Sequence, residues 1–208
     1  MRTTTLAASL LTLALAGLPA FAAGPNPQAP RLLLNQTDAA PATAIDSEEA
    51  GVLLWMREEE KLARDVYLTL YDRWQSRIFG NVAASEQRHF DAIGAKLRLF
   101  GLADPALTAI GQFSDQELQA SYDALTASGS ISYQQALVAG ARIEDMDIRD
   151  LQAAIENTDN LALQRTYGNL LEGSKNHLRA FVSRLQDLGV DYTPQYIDPV
   201  LFDAIVGN

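Results

Sequence analysis

Four stretches of this chain carry their apolar residues at alternating steps of three and four, the spacing that lays a continuous stripe along one side of an α-helix. The first stripe runs Leu53, Met56, Glu60, Ala63, Tyr67, Leu70 and Trp74, and the second Val82, Glu86, His89, Ile93, Leu97 and Phe100. The third runs Leu137, Ala141, Glu144, Ile148, Leu151 and Ile155, and the fourth Leu163, Tyr167, Leu170, Ser174, His177, Phe181 and Leu185. Stripes of this kind are stable only against one another, which restricts the chain to an all-α fold. Each stripe is apolar except at one level, where a carboxylate, an imidazole or a hydroxyl takes an inward position.

Capping signals divide the chain accordingly. Ser47, followed by Glu48 and Glu49, reads as the N-cap of a first helix reaching about Ser76. A second helix is expected from about Asn81, after Gly80, to Phe100, with Gly101 as its stop. Ser114 and Glu117 form a capping box that opens a shorter helix to about Ser128. Ser132 caps a third long helix to about Asn157, and the fourth runs from about Asp159 to Leu188, ended by Gly189. The expected architecture is an up-and-down four-helix bundle with a long crossover, carrying one short helix, between the second and third long helices. The last residues, Leu201 to Val206, read as a short helix folded back.

Outside the bundle, Arg2, the apolar run Leu6 to Leu18 and Ala20-Phe21-Ala22 have the three-part form of a cleaved secretory signal, and the run is shorter than the ~20 residues of a membrane span. The expected organisation is a signal peptide at 1–22, a Pro/Ala-rich arm at 23–46, the bundle at 47–190 and a tail at 191–208. The expected location is outside the cytoplasm, periplasmic or secreted. The chain contains no cysteine, which excludes disulfides, thiolate metal ligands and a lipid-modified Cys at the cleavage point. Without Arg2, 15 basic residues face 26 acidic ones, a net charge of −11. Such a surface disfavours nucleic acid and anionic membranes as partners and favours cations. A homodimer is a candidate assembly.

The interruptions of the stripes carry the chemistry. A lone ionised group on a buried stripe costs several kcal/mol even after relaxation, yet all four helices place a polar group there. A shared site satisfies them together. Glu86 and His89, three residues apart, lie on one helical face, and Glu60 and Glu144 supply carboxylates from two further helices. Oxygen and imidazole donors suit iron or manganese, with zinc as a substitute. The residues expected to hold metal are therefore Glu60, Glu86, His89, Glu144 and His177, with Asp147 and Ser174 as further candidates. Glu58 and Glu59, rotated by about 100° or more from the stripe, are expected on a solvated face. Glu172 is turned about 140° from His177. Arg64, Asp65 and Arg179 are candidate partners that orient ligands.

The stretch Glu58 to Tyr67, Ser85-Glu86 with His89, Arg142 to Ile148, and Gly173 to Phe181 resemble a bacterial and archaeal domain-of-unknown-function family of the ferritin-like superfamily. The resemblance spans about Glu48 to Leu188. It implies a ferritin-like bundle in which Glu60 is the first-helix ligand, with Tyr67 near the metals. It makes Glu86 a bridging carboxylate, His89 its terminal partner, Glu144 the third-helix ligand and His177 the fourth-helix histidine. One position departs: the template has a glutamate three residues before the last histidine, and this chain has Ser174. Three carboxylates then face two divalent ions, so the His177 half is expected to be the weaker unless Asp147, one turn beyond Glu144, restores the charge.

Two functional classes follow. One is an exported metal-binding protein that oxidises ferrous iron or reduces oxygen or peroxide, with one or two metal ions as cofactor. The other is a non-catalytic structural or binding module whose polar core is a hydrogen-bond network or a passive metal trap. A serine-hydrolase arrangement around Ser174 or Ser85 has no nucleophile elbow to support it.

Overall fold

The computed structural model describes residues 44–207. The expected signal peptide and nearly all of the expected arm lie outside the described residues. Within them the chain forms six helices and no strand: α1 (Ser47–Trp74), α2 (Arg77–Leu99), α3 (Gln116–Gly129), α4 (Tyr133–Glu156), α5 (Leu161–Asp187) and α6 (Pro199–Val206). Helix α1 pairs extensively with α2, and α4 with α5; α2 also faces α5 and α1 faces α4, so the four long helices enclose one core. The short α3 packs on α1 and α4, and α6 packs on α5. No helix among the described residues is long and apolar enough to cross a membrane.

The helix ends differ from the sequence expectation in ways that local chemistry explains. Asp46, not Ser47, caps α1, because its carboxylate accepts from the Glu48 and Glu49 amides while the Glu49 carboxylate returns to the Asp46 amide. Helix α2 starts four residues earlier than expected. The α1–α2 connection is only Gln75 and Ser76, with Gln75 in the left-handed region at φ 53° and its side chain bonded back to the Tyr71 and Asp72 carbonyls. Gly80, expected as a boundary, lies inside α2, where a Cβ would come 3.2 Å from the Tyr71 ring. Asp115, not Ser114, caps α3, since the Ser114 hydroxyl donates to the Pro105 carbonyl instead. Ser132 caps α4 as expected, while Asn160 caps α5 and Gly189 follows it at φ 70°.

Every apolar position of the four stripes is buried, apart from the partly covered end residues Trp74, Phe100 and Ile155. A second face of α1 is buried as well, and it is charged. Arg57 binds Asp104, Glu58 accepts the Ser114 amide at 2.7 Å, and Lys61 donates to the carbonyls of Ala109 and Gln112. Asp65 pairs with Lys61 at 2.5 Å and accepts the Gly111 amide at 2.9 Å. The crossover is thus held along α1 by side chains that answer its own backbone groups. Glu58 is consequently buried rather than solvated. The C-terminal tail is fastened in the same manner: the buried Asp145 accepts from the Tyr192 hydroxyl and from the amides of Gln195, Tyr196 and Ile197.

Candidate metal centre

Midway along the bundle the interrupted level of each stripe meets the others. Glu60 comes from α1, Glu86 and His89 from α2, Glu144 and Asp147 from α4, and Ser174 and His177 from α5. Two triads form, Glu60–Glu86–His89 and Glu86–Glu144–His177, within each of which one donor atom per residue lies inside 4.8 Å of the others. Glu86 belongs to both.

The two triads have nearly the same dimensions. His89 Nδ1 stands 2.8 Å from Glu86 Oε2 and 3.4 Å from Glu60 Oε2. His177 Nδ1 stands 2.7 Å from Glu86 Oε1 and 3.4 Å from Glu144 Oε2. The imidazole rings stack with centroids 5.7 Å apart. Despite this closeness, neither Nδ1 atom and none of the oxygens of Glu60 and Glu86 has a partner in full hydrogen-bond geometry. Buried polar groups are ordinarily paired. Donor atoms that share an ion at about 2.1 Å stand roughly 3.0 Å apart at right angles and 3.4 Å apart in a tetrahedron. The spacings match that arrangement, and the donor set of carboxylate oxygen and imidazole nitrogen is one that iron, manganese or zinc accepts.

Asp147 is buried beside this site and is not a member of either triad. The Ser174 hydroxyl, fully buried, donates to Asp147 Oδ2, while Asp147 Oδ1 has no partner. The side chain at the position where a fourth-helix glutamate was missing therefore holds a carboxylate delivered from α4. Asp147 is thus a fourth buried carboxylate beside the triads, its charge felt by Glu144, Glu86, His89 and Glu60, while each triad itself consists of two carboxylates and one imidazole. On the far side of Glu144, the Tyr67 hydroxyl donates to Oε1 at 2.5 Å. Tyr67 in turn stacks on Phe181 at 5.4 Å.

Electrostatics without metal follow from this crowding. Burial raises the Glu86 pKa, but the two imidazoles beside it outweigh burial and bring it to about 2. Burial lowers both histidines, yet Glu60 and Glu86 hold His89 up at about 11, and Glu144 and Glu86 hold His177 at about 10. Burial, then the charges of Glu144 and Glu86, raise Asp147 to about 8. Glu60 is pushed well above its ordinary value by burial and Asp147, against the pull of His89. Glu144 is raised by burial and Glu86. The metal-free centre keeps protons on its donors, so a cation must displace them.

Three expectations need correction or extension. Glu59 is not solvated but 2% exposed, because α4 covers that face of α1. Asp65 serves the crossover and Arg179 reaches the Ile205 carbonyl of the tail, so neither orients a ligand; Arg64 is spent on Asp65 and Gln87. Gly173 was not singled out by sequence, yet a Cβ there would stand 2.5 Å from His89 Nε2. A small residue facing the ring from the opposite helix is the signal that marks it. Glu172 is exposed and paired with Lys175 at 2.8 Å, as its rotation implied.

Comparison with known proteins places the chain. The family model described as "Uncharacterized protein domain (DUF2202)" matches residues 49–208. The chain belongs to that family. It is 45% identical over 177 residues to "Uncharacterized protein MJ0754" of Methanocaldococcus jannaschii, a match covering 85% of this chain and 96% of that protein. The crystal structure of hypothetical protein MJ0754 from Methanococcus jannaschii superimposes with a TM-score of 0.78 at 46% identity, covering 79% of this chain and 95% of the other. All the residues of the two triads fall within the matched family region.

Proposed function

We propose that this is an exported ferritin-like protein whose bundle holds a pair of iron or manganese ions and uses them to oxidise ferrous iron or to reduce oxygen or peroxide. The observation that carries the reading is Glu86, whose two oxygens each face a different histidine and a different carboxylate without a hydrogen bond to either. Glu60, Glu86 and His89 would hold one ion, and Glu86, Glu144 and His177 the other. Asp147, steadied by Ser174, supplies a fourth carboxylate, so that four negative charges balance two divalent ions. A bound metal pair supplies electrons to the oxidant and coordination positions for it.

The remaining steps belong to the chain. Glu86 sets the separation between the two halves, and the buried helices restrict water at the donors. The Tyr67 hydroxyl holds Glu144 Oε1 and leaves Oε2 for the His177 side. The imidazoles, the only parts of the two triads with more than marginal exposure at 10% and 12% of their side chains, lie where a small oxidant would arrive. The triad geometry favours this reading over a hydrogen-bonded structural core, because a structural core of this composition would have used its hydrogen bonds.

The test is ferrous iron and peroxide consumption by protein first loaded with iron or manganese. Oxidation above the uncatalysed rate, lost in Glu86→Ala, is the expected result. Stoichiometric binding with no consumption of either reactant would leave a passive metal trap.

A further inference from the structure

Glu59 has no role in the crossover, the tail or the triads, yet its carboxylate is buried with neither oxygen hydrogen-bonded. Its neighbour Glu58 shows what a structural carboxylate does here, accepting a backbone amide at 2.7 Å. A buried carboxyl without a hydrogen-bond partner is uncommon, and no salt bridge reaches Glu59 among the described residues. Its acidic neighbours are Asp147, Asp150 and Glu60, with the Asp150 carboxylate directly beside it, and the Arg149 guanidinium acts on it from the outer side.

These acids form a series rather than a cluster. Asp150 is partly exposed and lines a cavity of about 300 Å³ between α1 and α4, together with Gly51, Trp55 and Met56. Glu59 lies one helical turn inward from Trp55 and Met56. Beyond it stand Asp147 and Glu60, which border the centre. Asp147 and Asp150 are one turn apart on α4, so the carboxylates step inward from the cavity with an unpartnered glutamate between its mouth and the metal ligands. At the outer end the exposed Arg149 grips Asp150 through two contacts of 2.7 and 2.6 Å.

We propose that Glu59 and Asp150 form a transfer site for divalent cations, through which the centre is loaded from the α1–α4 cavity. The proposal rests on the metal reading above and adds a residue pair that does not belong to the final ligand set. Glu59 is suited to this task because its oxygens are already free of competing donors, and a carboxylate one turn from the centre raises the local concentration of cation on the way in.

Cobalt(II) uptake by the metal-free full chain, followed by stopped-flow absorbance, distinguishes the possibilities. Glu59→Gln is expected to slow uptake by about tenfold or more without changing the amount finally bound, and Asp150→Asn to slow it by a smaller factor. Rates within about twofold of the parent in both variants would overturn the transfer site, as would a lower final stoichiometry in Glu59→Gln, which would make Glu59 a ligand of the centre itself. Circular dichroism establishes that each variant is folded; should Glu59→Gln fail that check, Asp150→Asn at its partly exposed position decides. If the parent chain binds no cobalt, the metal centre itself is refuted, a result separate from any difference between variants.

Discussion

At the scale of single residues, the decisive arrangement is Asp147 held by the Ser174 hydroxyl. It sets an α4 carboxylate beside the triads, against the α5 position that carries Ser174, and it makes two substitutions informative. Asp147→Asn is expected to weaken metal binding by at least about tenfold, and Ser174→Ala by a smaller factor, since the second only releases the carboxylate from its donor; competition titration against a chelator measures both. Gly173→Ala is expected to weaken binding while leaving the fold intact, because the new Cβ displaces the His89 ring rather than backbone. The protonation pattern gives a pH signature. Asp147, Glu60, Glu144, His89 and His177 all have raised pKa values in the folded, metal-free protein. The folded state then binds more protons than the unfolded chain, and stability falls as pH rises. The Asp147 contribution is complete below about pH 4 and lost through about 8; those of the histidines are complete below about 6.5 and lost toward about 10 and 11. Glu86, lowered to about 2, acts oppositely, but only below its unfolded value of 4.5. The midpoint of thermal unfolding in chelator is therefore expected to fall between pH 5 and 9, and added manganese to remove most of that slope by replacing the protons. A midpoint that rises over this range in chelator would contradict the electrostatics. His89, Glu86, Glu60 and Glu144 were legible in the sequence because periodicity alone reports which positions face inward. The partner of Ser174 was not, because contact across two helices depends on their rotation and depth.

At the scale of elements, the crossover explains why the charged face of α1 was misread. Periodicity separates the bundle stripe from everything else, but it carries no information about a loop that returns over the other side. Arg57, Glu58, Lys61 and Asp65 face away from the bundle seam and are nonetheless buried, because residues 104–114 lie on them and lend backbone groups as partners. Lys61→Ala removes the fully buried cation, leaves Arg64 as the ion-pair partner of Asp65 and strands the carbonyls of Ala109 and Gln112. Urea denaturation is expected to show a loss of about 2–4 kcal/mol, chiefly from the two unsatisfied carbonyls. A loss below about 1 kcal/mol would mean that the crossover is not fixed by this contact. Helix lengths were readable within a few residues from stripes and caps, whereas the two-residue α1–α2 turn was not, because the left-handed conformation fell on Gln75 rather than on Gly80.

At the scale of the whole molecule, the four stripes meet at one depth, and the polar level becomes the interior of the bundle. Helices α1 and α2 on one side and α4 and α5 on the other each contribute a carboxylate-bearing pair, and Glu86 links the halves. Bound metal should therefore stabilise the fold as a unit, by about 2.7 kcal/mol when free metal is a hundredfold above its dissociation constant. The measurement that bears most directly on this account is elemental analysis of the full chain purified from culture supplemented with iron and manganese. Close to two equivalents of iron or manganese per chain, reduced below one in Glu86→Ala, is the expected result. Less than a tenth of an equivalent of any transition metal in the parent chain would contradict the centre altogether.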